Sequence, residues 1–198
     1  CICQYGGVWE DMMKETLTAQ AWIEAAFRAL TAGGPQAIRA EAIARDLKVS
    51  KGSFYWHFKD VPALKSEMLR VWKSQATDAI ISAVEGEGGS PDEKLRRLVD
   101  LATGPANTPY GGALAEAAVR DWARYDPSVA LVLKAVDERR LAYLVALFAE
   151  SGATGAARRR NASILYGALI GLEGLSHQGL ADLRGDLRYL LDRLLRAG

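Results

Sequence analysis

Apolar positions recur at helical spacing from Thr18 onward, and no segment reads as a strand. Thr18 is a good N-cap, followed on one face by Trp22, Ile23, Ala26, Phe27 and Leu30, until Gly33, Gly34 and Pro35 stop the helix. A short helix is predicted over 40–46, with Ala40, Ile43, Ala44 and Leu47 apolar, and Ser50 caps another to about His57. Asp60, with Pro62 in the first turn, opens a longer helix carrying Leu64, Met68, Val71, Trp72 and Gln75 on one face. EGEGGS, from Glu85, is a break; Ser90-Pro91-Asp92-Glu93 is a capping box that starts a helix to about Thr103. After a loop over 104–112, helices are predicted from Leu114 to about Tyr125 and from the Asp126-Pro127 cap to Ser151-Gly152. Two more run from a Thr154 cap to about Gln178, and from Asp182 through Leu183, Leu187, Leu190, Leu191, Leu194 and Leu195. The expectation is an all-α chain of about nine helices without a repeat.

Two of these helices carry a motif. The pair joined by the three-residue turn Leu47-Lys48-Val49 has the dimensions of a helix-turn-helix. Ala44 is small enough for the helices to pack closely, and Ser50 leaves the second helix's first N–H groups facing outward, ready for a phosphate. That helix, Lys51-Gly52-Ser53-Phe54-Tyr55-Trp56-His57, sets small or polar groups first and aromatics behind; Gly52, lacking a Cβ, permits close approach of backbone to DNA. Tyr55 and Trp56 lie about 100° apart on a helix, so at least one is exposed. The expected organisation is a leader or disordered segment over 1–15, with Met12 or Met13 a natural start, a three-helix DNA-binding domain over 16–60, and a C-terminal domain over 61–198.

The stretch IRAEAIARDLKVSKGSFYWHFKDVPAL (Ile38–Leu64), with GSFYWHF at its centre, resembles the signature of the tetracycline-repressor (TetR) family. The resemblance is strong over about Thr18–Trp72 and weaker over Arg120–Gly152, a pattern similar to many effector domains of that family. The family usually has Gly in the turn where this chain has Lys48; a positive φ there costs about 1 kcal/mol. The resemblance implies that Lys51, Gly52, Ser53 and Trp56 lie nearest the base edges. It also implies that Tyr55, His57, Lys59 and Arg39 contact phosphates, with Phe54 and Phe58 locked onto Phe27 and Ile43. A dimer built on the last two helices is implied as well. The alternative is an all-α protein-interaction module whose helix-turn-helix no longer binds DNA.

Charge agrees modestly. The 198 residues hold 25 Lys/Arg against 24 Asp/Glu, but from Lys14 to Gln75 there are ten basic and six acidic residues. Cys1 and Cys3 lie too close together to staple a fold, and no leader pattern or long apolar run is visible, so the expected setting is the cytoplasm.

Residues 76–198 show no catalytic constellation, and neither an enzymatic activity nor a cofactor is expected. His177 with Glu173 offers too few ligands for a metal. Arg158-Arg159-Arg160 reads as a solvated helix face, with a partner contact as the minor reading. Gly167, Gly171 and Gly174 form a stripe that lets another helix approach; with Leu187, Leu191 and Leu194 it suggests half of a four-helix dimer interface, packing within one subunit being the other possibility. Trp72, Tyr110, Trp122, Tyr125, Phe148, Tyr166 and His177 are candidates to line a pocket for a small apolar or aromatic effector, each being an ordinary core residue otherwise.

Overall fold

The computed structural model describes residues 18–104 and 112–196, which form helices and turns without a strand. They divide into two compact units, one ending at Met68 and the other beginning at Leu69. The break falls inside a helix, some residues past the expected boundary at 60/61.

The first unit is built from α1 (Ala19–Gly33), a 3-10 turn (Pro35–Ala37), α2 (Ala40–Asp46), α3 (Lys51–Phe54) and the start of α4 (Val61–Lys73). Thr18 caps α1 through its side chain, which accepts from the Ala21 N–H. Asp60 does the same for Ala63 at 2.8 Å. Trp22, Phe27, Leu30, Ile43, Phe54, Leu64 and Met68 are buried together. Trp22 meets Phe54 edge-on, ring centroids 5.4 Å apart. The second helix of the motif is shorter than expected: α3 ends at Phe54, and Tyr55 to His57 continue as turns. With only four residues it has little propensity-driven stability, so the Phe54 anchor must hold it.

The second unit continues α4 through a π-helical turn (Ser74–Asp78) directly into α5 (Ala79–Gly86). Then come α6 (Pro91–Ala102), α7 (Gly112–Ala123), α8 (Pro127–Glu150), α9 (Ala156–His177) and α10 (Leu183–Arg196). Counting α4 to α5 as one rod, the described residues form nine. The Ser90–Glu93 capping box is present in full, and Asp126 caps α8 by accepting from the Ser128 N–H. Thr154 does not cap α9: Gly155 holds that position with no side-chain bond. α8 packs on α7 and α9, and α10 on α6 and α9. Between them Leu95, Val99, Leu144, Phe148, Leu165, Leu187 and Leu191 form one core.

The π-turn also changes a face. A 3.6-residue period keeps Gln75 with Val71 and Trp72, but the wider turn rotates the chain, so Thr77 takes the buried place and Gln75 is exposed.

Candidate nucleic-acid interface and ligand cavity

In the first unit, the turn Leu47-Lys48-Val49 reverses the chain with Lys48 at φ 57°. Lys48 is exposed, so its side chain meets no packing conflict; the strain is in the backbone alone. Beyond the turn, Phe54 is fully buried while its neighbours are not: Tyr55 is 57% and Trp56 88% exposed. Arg39, Ser50, Lys51, Gly52 and Lys59 are exposed too, and Ser53 and His57 are half-buried. Gly52 has no internal reason to be glycine. A Cβ there meets only Ser50 Oγ, at an ordinary 3.7 Å. Ser50 makes no side-chain cap bond to α3, so its hydroxyl stays available. Lys51 pairs with Glu41 at 2.5 Å, with both side chains about half exposed. Such pairs contribute roughly 0–1 kcal/mol and exchange readily for a stronger anion.

In the second unit, a cavity of about 320 Å³ opens between the π-turn, α5, α6, α7, α8 and α9. Of the residues expected to line it, Tyr166 does so. Trp72, Trp122 and Phe148 are buried but do not line it: Phe148 belongs to the core with Leu144 and Leu165, and the Trp72 ring lies under the Arg140 guanidinium. The Trp122 indole N–H is already satisfied by Asp126 at 3.2 Å. Tyr125 is 75% exposed and His177 is exposed; neither lines the cavity. Tyr110 lies outside the described residues.

The polar wall holds residues that sequence reasoning missed. Arg140 donates from Nη1 and Nη2 to both oxygens of Glu116, from Nε to Thr77 Oγ1 at 2.9 Å, and from Nη2 to the Ala76 carbonyl at 3.1 Å. It thereby ties α8 to the π-turn. Tyr166 accepts from Arg120 and Arg140 and donates to Asp137 Oδ1 at 2.6 Å. Arg120 in turn grips Asp137 with both terminal nitrogens. Burial and the bond to Asp137 push the Tyr166 hydroxyl above its usual range, so it stays protonated. Glu173 also faces the cavity, and burial pushes its carboxyl up to about 7, with Glu116 adding to the effect and the two arginines opposing it. A signal for these residues was present. Arg140 stands four residues from both Val136 and Leu144, in line with a buried stripe, and Glu173 continues the stripe of Tyr166, Leu169 and Ile170.

The glycine stripe of α9 is open. A Cβ at Gly167, Gly171 or Gly174 meets nothing within 4 Å, so no helix of the same chain packs there among the described residues. Ile164 and Leu175 beside it are exposed. Leu187 and Leu191 depart from the expectation: both are buried in the core of their own unit, because the single apolar stripe of α10 is needed to close α6 and α9. Leu194 is half-buried, its carbonyl accepting from Asn161.

A buried anchor with an exposed polar and aromatic rim, set after a tight turn, defines a helix-turn-helix within an all-α fold. Residues 23–64 match the model of the bacterial regulatory proteins of the tetR family. No curated protein sequence matches the chain. The fold as a whole is that of several solved structures. A provisionally assigned TetR-family transcriptional regulator from Rhodococcus sp. is 22% identical over 89% of this chain and 98% of its own, with a TM-score of 0.74. A TetR-family transcriptional regulator from Streptomyces coelicolor is 19% identical over 98% of this chain and 96% of its own, TM-score 0.69. The fatty acid degradation regulator FadR from Bacillus halodurans is 18% identical over 90% and 98%, TM-score 0.63. None of the described helices is long and apolar enough to cross a membrane.

Proposed function

We propose that the chain is a homodimeric, ligand-responsive repressor of transcription. It acts in the cytoplasm by binding and not by turnover. Each protomer sets α3 and the following turn into the major groove of one half of a near-palindromic operator. Lys51, Gly52, Ser53 and Trp56 face base edges; Arg39, Ser50, Tyr55, His57 and Lys59 hold phosphates. The observation that carries this reading is the exposure of Tyr55 and Trp56 directly after a fully buried Phe54. Water-exposed aromatic rings of this size are unfavourable without a partner, and they lie among polar and cationic groups suited to DNA.

Dimerisation uses the open stripe of Gly167, Gly171 and Gly174, bordered by Ile164 and Leu175, against its copy. A small-molecule effector occupies the cavity and releases the operator. Release requires the effector to bind the DNA-free state more tightly than the DNA-bound state. The π-turn forms part of the cavity wall and is continuous with α4, which begins in the DNA-binding unit. That continuity is the covalent route from one site to the other.

The test is selection of duplexes from a random library with the full chain, followed by gel shifts of the selected duplex over a range of salt. Enrichment of a near-palindromic site, bound with a steep salt dependence, supports the reading. Recovery of no site, with weak binding independent of sequence, overturns it.

A further inference from the structure

We propose that the cavity of the second unit takes a molecule with an apolar body and one protonated amine, its ammonium seated against Glu173. This rests on the reading of that cavity as the effector site. The argument begins with charge. Arg120 and Arg140 are balanced by Glu116 and Asp137, and the four groups close on one another: Arg120 pairs with Glu116 at 2.8 Å and Asp137 at 2.7 Å, and Arg140 with Glu116 at 2.9 Å. The Tyr166 hydroxyl, between them, donates to Asp137. Across the cavity wall, the Tyr143 hydroxyl is committed to Glu85 at 2.6 Å. Glu173 is the fifth charged group of this cluster. Among the described residues it has no hydrogen bond or ion pair, and it sits on the cavity wall beside Leu169 and Ile170.

An anionic ligand finds little here. A guanidinium has five N–H donors, and those of Arg140 are all in use: Nε to Thr77, two to Glu116, one to Tyr166 and one to the Ala76 carbonyl. Arg120 keeps a buried Nε–H without a partner, but it does not line the cavity. A carboxylate left unpaired against apolar walls is unfavourable, and it either takes up a proton or finds a cation. Its raised affinity for protons reports that same deficit. An ammonium on an apolar body supplies the missing charge and fills the space lined by Ile80, Ile81 and Leu98.

The experiment uses the full chain and three probes sharing one body: phenylbutylamine, phenylbutanol and phenylbutyrate, titrated by calorimetry. At pH about 8 the amine is expected to bind at least about tenfold more tightly than the other two, a difference of about 1.4 kcal/mol. The amine is expected to weaken about tenfold on going to pH about 6, since it stays protonated there while Glu173 takes up its proton. In Glu173→Gln the preference for the amine disappears. The pH comparison on the unaltered chain needs no variant, so it decides the matter even if the variant fails to fold. Tightest binding of the carboxylate, an amine preference that survives in Glu173→Gln or does not change with pH, or no binding of any probe up to roughly 1 mM, overturns the proposal. Addition of the amine to the gel shift separates the two readings: binding without release of the duplex overturns the effector reading and leaves the ligand class standing.

Discussion

Arg140 on α8 holds Glu116 on α7 with a two-pronged bond, Nη1 to Oε1 at 2.9 Å and Nη2 to Oε2 at 3.1 Å, both side chains being largely buried. The two helices are thus registered by this pair at the cavity wall, together with Arg120 of α7 on Asp137 of α8. Removing Arg140 leaves the buried Glu116 with Arg120 as its one remaining cation, at 2.8 Å, and breaking a buried pair of this kind costs up to about 3–5 kcal/mol. Arg140→Met is expected to lose that much stability, and Arg140→Met with Glu116→Leu to lose less than Arg140→Met alone. Denaturant unfolding of both variants checks it; equal losses would show that the pair's charge balance is not what stabilises this junction.

Gly52 separates fold from function. A Cβ at this position meets only ordinary contact inside the chain, and glycine in a helix is about 1 kcal/mol less favourable than alanine. Gly52→Ala is therefore expected to raise the melting temperature while lowering affinity for the selected duplex about tenfold or more, the scale of one lost close contact. Lys59→Ala is expected to weaken binding to every sequence and to reduce the salt slope by about one. Melting curves and salt-titrated gel shifts read both effects.

Lys48 stands in the left-handed region at φ 57°, where a side chain costs roughly 1 kcal/mol and glycine does not. Lys48→Gly is expected to stabilise the chain by somewhat less than that, because glycine also gains freedom when unfolded. Lys48→Val is expected to destabilise it, since a branched Cβ fits this region worst. Chemical denaturation of the pair gives the signs, and a stable Lys48→Val would mean that the turn adopts another conformation in solution.

The stripe on α9 gives opposite expectations for one chain and for two. Since a Cβ at Gly171 meets nothing within its own chain, Gly171→Ala and Gly171→Leu each strengthen the helix of an isolated protomer by up to about 1 kcal/mol. If two copies meet there, the leucine blocks close approach and sedimentation shows a monomer at micromolar concentration. A dimer that persists in Gly171→Leu moves the interface elsewhere.

Much of the fold was legible because helix ends are local. Thr18, the Ser90–Glu93 box and Asp126 each satisfy backbone donors within a few residues, so their roles need no knowledge of the rest of the chain. The exposed rim of α3 was equally readable, from Tyr55 and Trp56 following Phe54. The cavity was not. Trp122 and Phe148 have the size to line one, but which face of a helix turns to a void depends on how five helices settle against each other. The charged residues that do line it sit in ordinary apolar stripes, where Arg140 and Glu173 read as interruptions. Nothing in Ser74-Gln75-Ala76-Thr77-Asp78 marks a π-turn; its two ties, to Arg139 and Arg140, come from more than sixty residues away. Leu187 and Leu191 show the same ambiguity, since a leucine stripe does not say whether its partner helix belongs to the same chain.

Glu173 links the cavity to stability through pH. Burial and the nearby Glu116 raise its folded-state pKa from 4.5 to about 7, against the pull of Arg140 and Arg120. In the unfolded chain the group ionises near its ordinary value. Between those two values the folded state therefore binds more protons than the unfolded state, and the chain loses stability as pH rises through that window. Below it both states are protonated and Glu173 contributes nothing; above it both are ionised and the destabilisation is complete. Glu173→Gln keeps the shape and removes the charge, so its melting temperature is expected to exceed the parent's at pH about 8, with the gain shrinking toward pH about 5. Thermal melts of both proteins across that range, without any ligand, check the sign. A gain that is equal at both ends would mean that the carboxyl is not carried into the fold with a raised proton affinity, and one that grows toward acid would mean that Glu173 is ionised and paired in the folded protein.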